Sequence, residues 1–112
     1  MPSAFNLELS MREAPSDAQA RAANALVEPA RAVGLRLTKR GAGELGYTPR
    51  VQFPVLVMLY HKLSGEHMTV KFEPGAEAGT RVMISGRVAV RNHMLAEDPE
   101  HWSEALAASA TT

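Results

Sequence analysis

Apolar and polar residues alternate strictly in two parts of this chain, residues 5–12 and residues 67–90. Period-two alternation is typical of β-strands that have one buried face and one face in water. In the first part, the predicted buried face carries Phe5, Leu7, Leu9 and Met11. The second part is interrupted by a Pro- and Gly-rich stretch at 74–79, so it predicts a hairpin of two strands, 67–73 and 80–90.

The last predicted strand is the longest, and its inward positions carry Val82, Ile84, Val88 and Val90. Gly86 also falls at an inward position of this strand. A glycine there indicates a bend, a bulge or a close approach of the neighbouring backbone.

Two helices are predicted. The first follows strand 5–12, where small apolar residues recur at helical spacing and Ser16 and Gln19 are spaced as a capping box. Pro29 lies inside this pattern, so we expect a kink or a restart there. The second helix is predicted near the end of the chain, where Asp98 and Pro99 are typical first residues.

Shorter alternating stretches at 35–39 and 44–49 predict two more strands, with Leu45 and Tyr47 facing inward. The predicted order is β-α-β-β-(β or short α)-β-β-α. Short turns between consecutive strands favour an antiparallel sheet with one wet face, and the helices would cover the other face. The sequence therefore predicts a two-layer α+β domain with its helices on one face of the sheet.

This element order resembles the TATA-binding-protein-like and START-like helix-grip folds. The resemblance is one of architecture, and architecture alone does not imply a function. A chain of 112 residues is expected to form one domain over 1–112, with residues 1–4 and 107–112 frayed.

One stretch, residues 51–60, is nearly all apolar and does not alternate. As a strand it would lie in the centre of the sheet, with Pro54 at its start. As a helix it would begin at Pro54, and Gly65 would follow its end. The pattern leaves both structures open.

The two structures have different consequences. A central strand would be buried by the fold itself, whereas a two-layer domain cannot bury a helix that is apolar all round. Burying one large apolar side chain contributes roughly 1.5–3 kcal/mol, so three left in water would forgo about 4–9 kcal/mol. We therefore expect residues 51–63, called the apolar segment below, to be a contact surface.

Composition narrows the classes of partner. Lys plus Arg and Asp plus Glu both number 12, so the chain lacks the positive charge of a duplex-binding domain, and no nucleic acid is expected. The chain has no cysteine, and its first residues do not resemble a secretory signal, so we expect a cytoplasmic protein. No metal site and no cofactor are expected, because the four histidines have no ligand spacing.

The candidate contact residues for a partner or a ligand are mostly apolar and lie in or near the apolar segment. They are Phe53, Val55, Leu56, Met58, Leu59, Tyr60, Leu63 and Trp102. A second set of basic residues is a candidate anion patch if the fold brings them together. They are Arg50, Lys62, Arg87 and Arg91.

Three functions follow in order of preference. The first is a non-enzymatic association domain, a homodimer or a subunit that binds a protein partner through the apolar segment. The second is a small apolar-ligand or lipid-surface binding domain of helix-grip type, in which a membrane surface is a possible partner. The third is an enzyme, which would need a cleft that collects His67, Glu73 and Arg81.

Overall fold

The computed structural model describes residues 3–49 and 65–110 of the chain. The first strand, β1 (Ser3–Met11), leads into two helices, α1 (Pro15–Ala25) and α2 (Val27–Ala32). Two strands follow, β2 (Leu35–Gly41) and β3 (Glu44–Pro49). The break between α1 and α2 confirms the predicted restart around Pro29.

The second described range begins just before β4 (His67–Pro74). A short 3-10 turn (Ala76–Ala78) connects it to β5 (Thr80–Val88). Two helices complete this range, α3 (Val90–Ala96) and α4 (Pro99–Ala110). The Glu100 amide donates to the Asp98 carboxylate at 3.0 Å, which is the cap expected at the start of α4.

The five strands form one antiparallel sheet in the order β1-β5-β4-β3-β2. Helices α1 and α2 make the crossover from one edge strand to the other. The fold class is therefore α+β with an antiparallel sheet, as the alternation predicts. Among the described strands, the two at the edges of the sheet are β1 and β2.

The core lies between one sheet face and the helices. The inward residues of every strand and the alanine face of α1 form a single cluster that includes Leu26, Trp102 and Leu106. Because the buried side chains of α1 are alanines, this helix approaches the sheet closely. Leu45 and Tyr47 face inward as predicted, each with 1% or less of its surface exposed.

Helix α3 was not predicted, and the expected strand 80–90 was two residues too long. The sheet supplies the reason, since Val88 pairs with Ser3 at the start of β1 and the chain then turns into α3. Val90, predicted to be inward, is 63% exposed as the first residue of this helix. The alternating pattern of apolar and polar residues thus runs two residues past the point where β5 stops pairing with β1.

The capping box predicted at Ser16 does not form. Helix α1 begins one residue earlier, with Pro15 in its first turn and Ala14 as the N-cap. Gln19 instead accepts a hydrogen bond from the Gly43 amide at 3.0 Å and donates to the Gly41 carbonyl at 2.7 Å. Its amide therefore holds the β2–β3 turn against α1, since an amide has both donors and an acceptor.

Gly86 confirms the predicted close approach. A Cβ atom at this position would lie 2.2 Å from the His67 carbonyl oxygen on β4. No rotamer relieves a contact with backbone at that distance, so only glycine fits here.

Candidate association surface

The apolar segment lies outside the described residues. Neither the strand nor the helix predicted for it is therefore tested by the structure. The described strands fix where it attaches. Strands β3 and β4 are hydrogen-bonded neighbours, with Tyr47 paired to Met68. The segment therefore belongs to the connection between two adjacent strands, at the end of the sheet where Pro49 ends β3 and His67 begins β4.

Helix α3 lies at this same end of the sheet, because it directly follows Val88. The buried carboxylate of Glu66, just before β4, accepts a hydrogen bond from the Ala89 amide at 3.2 Å. Ala89 is the N-cap residue of α3. The point where the chain re-enters the sheet is thus joined to the start of α3.

Two further hydrogen bonds hold α3 in place. Asn92 donates to the Val33 carbonyl at 3.2 Å, near the end of α2. The Nε2 atom of His93 lies 2.8 Å from the Ala4 carbonyl oxygen on β1. These bonds use the polar residues in the middle of the helix, and they fix which of its residues face outward.

The outward residues of α3 are apolar. Met94 is 81% exposed, Val90 63% and Leu95 40%. Within the described ranges, one other large hydrophobic residue is comparably exposed, Val27 on α2. Scattered exposed apolar residues need no explanation, but three on one seven-residue helix form a local apolar surface. We call these three residues the α3 patch.

The predicted contact residues are described only in part. Those in the apolar segment all lie outside the described ranges, namely Phe53, Val55, Leu56, Met58, Leu59, Tyr60 and Leu63. The remaining one, Trp102, is fully buried on α4. Its indole N–H donates to the Ala96 carbonyl at 2.8 Å, so this side chain joins α4 to the end of α3.

The candidate anion patch is also described in part, since Arg50 and Lys62 lie outside the described ranges. Arg87 is exposed on the polar face of the sheet, where it pairs across the ladder with His67. Arg91 is exposed on α3. The two described arginines thus lie on different elements, β5 and α3.

Tyr47 is the polar side chain that is least well satisfied. Its hydroxyl is buried and has no hydrogen-bond partner in the described part of the chain. Burial raises the pKa of Tyr47 to about 12. Buried hydroxyls are nearly always paired, so this group marks a place in the core where the described residues supply no acceptor.

The polar sheet face carries charge pairs. Arg81 contacts both Glu8 and Glu73, with nitrogen–oxygen distances of 3.1 Å to each. Ion pairs between neighbouring strands are an ordinary stabilising role for charged residues on the polar face of a sheet. His67 and Glu73 stand six residues apart on β4, about 20 Å along a strand, so His67, Glu73 and Arg81 do not converge in one cleft.

A half-open cleft of about 990 Å³ lies at the opposite end of the sheet. It runs between the end of β1 and the turn before β5, and its charged lining includes Arg12, Glu77 and Arg81. Both signs of charge occur in it, and Arg81 is already held by two carboxylates. The cleft therefore indicates no particular ligand.

The described ranges contain neither a cluster of metal ligands nor a membrane-spanning helix. No cluster of three or more His, Asp or Glu side chains there could hold a metal ion. Nor do those ranges contain a helix with the length and hydrophobicity needed to cross a membrane.

Comparison with known proteins gives no further guide. No family model, no curated protein and no solved structure matches this chain. The surfaces and side chains described above are therefore the basis for a function.

Proposed function

We propose that this protein is a non-enzymatic association domain that forms a homodimer. Its contact surface consists of the apolar segment and the α3 patch. The observation that carries the proposal is the exposure of Val90, Met94 and Leu95 at the end of the sheet where the apolar segment attaches. Contiguous exposed apolar surface is typical of protein contact sites.

The hydrogen bond between Glu66 and Ala89 supports treating the two parts as one surface. It joins the residue that ends the connection between β3 and β4 to the residue that starts α3. Strands β4 and β5 are adjacent, so the two attachment points are about 5 Å apart across the sheet. Because the apolar segment and the apolar face of α3 start this close together, one partner surface could contact both.

Charge favours a second copy as the partner. Basic and acidic residues balance at 12 each, so two copies do not repel each other through net charge. Dimers of identical chains with two-fold symmetry are the commonest oligomers, and their interfaces are the most apolar class. We place this association in the cytoplasm, which suits a chain without cysteine.

Sedimentation equilibrium tests the proposal with a matched pair of variants. Met94→Asp places a charge in the α3 patch at a side chain that is 81% exposed, so the monomer should fold normally. Asn24→Asp adds the same charge at an exposed position on α1. We expect Met94→Asp to weaken the dimer at least about tenfold and Asn24→Asp to leave it unchanged. Equal dissociation constants for both variants would contradict the proposal.

The second candidate function is the binding of a small apolar ligand, and the unpaired hydroxyl of Tyr47 favours it. A ligand with a carbonyl or carboxylate oxygen would supply the acceptor that the described residues do not. Titration with a fluorescent fatty acid tests this function. Saturable binding that weakens in Tyr47→Phe would support it, and the absence of binding to the wild type would exclude it.

A further inference from the structure

We propose that the dimer forms by pairing of strand β1 with β1 of the second copy, which gives one continuous ten-stranded sheet. This inference rests on the proposed homodimer and specifies its geometry. It comes from a difference between the two edges of the sheet in the described ranges, which are β1 and β2.

The β2 edge carries several features that discourage further strand pairing. Its ladder with β3 is interrupted between Leu37 and Lys39, which indicates a bulge. Lys39 and Arg40 are exposed beside the interruption, and the Gly41 carbonyl is occupied by Gln19. Bulges, basic side chains and covered ends are how proteins protect sheet edges.

The β1 edge has no bulge and no basic side chain, although His93 occupies the Ala4 carbonyl near its start. Strand β1 pairs with β5 without interruption over nine residues, from Ser3 opposite Val88 to Met11 opposite Thr80. It contains no proline, no lysine and no arginine. A long, regular edge of this kind offers unpaired backbone groups to another strand.

Two contacts show which backbone groups face outward. The Ala4 carbonyl oxygen accepts from His93 rather than from β5, at 2.8 Å. A Cβ atom on Gly79, just before β5, would lie 2.7 Å from the Met11 carbonyl oxygen, so Met11 faces β5. Backbone groups alternate in an antiparallel ladder. The free edge therefore presents the N–H and C=O groups of Asn6, Glu8 and Ser10.

The sequence of β1 suits pairing with itself about Leu7. In that register apolar residues oppose apolar ones, with Leu7 opposite Leu7 and Phe5 opposite Leu9. Glu8 lies opposite Asn6 of the second copy. Shifting the two-fold axis to residue 8 would place Glu8 opposite itself, and like charges directly opposite are destabilising.

Burial supports the same register. Leu7 and Leu9 are only partly buried, although they contact the core, whereas their cross-strand neighbours Ile84 and Val82 are fully buried. A paired strand would cover both leucines. The two-fold axis lies normal to the sheet, so both helix layers remain on one side.

The edge also joins the proposed contact surface. His93 reaches the Ala4 carbonyl, so α3 lies at the start of the free edge. Val90 of the α3 patch lies three residues before His93, so the two side chains are neighbours on the helix surface. A second copy paired along β1 would approach the α3 patch, so the backbone edge and the apolar residues act in one interface.

Charge changes at Asn6 test the register in the full-length chain. Asn6 is exposed on the polar face, so neither variant should disturb the monomer, and circular dichroism with a thermal melt would verify this. Asn6→Glu places two glutamates opposite each other twice in the dimer, and we expect the dissociation constant to rise about tenfold. Asn6→Lys creates two opposite-charge pairs, and we expect equal or tighter binding.

A third variant and an exchange measurement test the backbone pairing. Asn6→Pro removes an outward N–H, which an edge strand tolerates, and should weaken the dimer about tenfold or more. Amide hydrogen exchange at Asn6 and Glu8 should slow as protein concentration rises.

The outcomes separate this inference from the proposed function. A monomeric wild type would overturn both. A dimer that Met94→Asp weakens but no Asn6 variant affects would overturn the β1 pairing alone. Tighter binding by Asn6→Glu than by Asn6→Lys would overturn the register about Leu7, because Asn6 would then face a cation.

Discussion

At Gly86 the backbone of β4 occupies the space that a Cβ atom would need. Gly86→Ala would place its Cβ atom 2.2 Å from the His67 carbonyl oxygen, and both strands would have to separate. We expect a loss of about 2 kcal/mol or more in the free energy of unfolding, measured by urea denaturation.

Gly41→Ala is the matched control for this substitution. Its Cβ atom would have 3.9 Å to the nearest backbone atom, so we expect a change within about 0.5 kcal/mol. Equal losses at the two positions would mean that β4 and β5 do not approach as described.

Tyr47 gives the protein a distinct response to alkali. Its pKa is about 12 when folded, because burial disfavours the phenolate, against 10.0 for an ordinary tyrosine. The folded state therefore holds this proton more tightly than the unfolded state does. The resulting stability is complete below pH 10 and is lost as the pH rises through 12.

Unfolding of Tyr47→Phe at several pH values checks this account. At neutral pH the variant should be as stable as the wild type or more stable, since the removed hydroxyl has no described partner. Between pH 10 and 12 it should lose less stability than the wild type. Parallel curves for the two proteins would contradict the buried position of the hydroxyl.

Glu13 contributes to the loss of stability in acid. Its hydrogen bond to Arg21 holds its pKa below the ordinary 4.5, so the charged form stabilises the fold. This contribution is present above pH 4.5 and is lost as the pH falls through the lowered pKa. We expect Glu13→Gln to be less stable than the wild type at pH 7 and to show a shallower loss below pH 4.5, measured by chemical denaturation.

Arg21 also connects two helices that are far apart in the sequence, α1 and α4. Arg21 on α1 bonds Glu13 and also reaches the Leu106 carbonyl and the Ser109 hydroxyl on α4. Residues more than 80 positions apart are joined through one side chain. The ion pair is partly exposed, so its own contribution is modest, about 0.2–1 kcal/mol.

Gln19 fixes the β2–β3 turn to α1. Gln19→Ala would leave the Gly43 amide and the Gly41 carbonyl without this partner, and we expect a loss of about 1 kcal/mol in unfolding free energy. Asn24→Ala, at an exposed position on the same helix, should be neutral or slightly stabilising. Thermal melts of the two variants compare them directly.

The strands were predictable because their pattern is local. Alternation identified β1, β4 and all of β5, although it continued two residues too far, and the turn glycines bounded β2 and β3. Helix α3 was not predicted for a different reason. It begins just after Val88, which pairs with Ser3, the first described residue of β1. The end of β5 is set by the start of β1, more than 80 residues away, and no local pattern contains it.

The site was predictable in a similarly limited way. The sequence predicted the apolar segment as a contact surface but not the α3 patch, because the alternation placed Val90 inward at the end of a strand and no helix was predicted after it. The exposure of the α3 patch depends on Asn92 and His93 bonding to α2 and β1. A helix-like spacing of residues 90, 94 and 95 was the signal that could have revealed the patch.

At the scale of the whole molecule, the described ranges combine one buried core with an exposed sheet edge and an exposed apolar helix face. The sheet and helices bury a single cluster around Trp102, while the α3 patch and the β1 edge remain uncovered in the described ranges. These uncovered parts meet where His93 contacts Ala4. A second copy would cover both.

The mass of the protein in solution tests this account most directly. Sedimentation equilibrium of the wild type at about 10 μM should give twice the mass of one chain, falling towards one chain on dilution. Met94→Asp should shift that transition to higher concentration, and Asn24→Asp should not. A wild type that sediments as a single chain at every concentration would contradict the account.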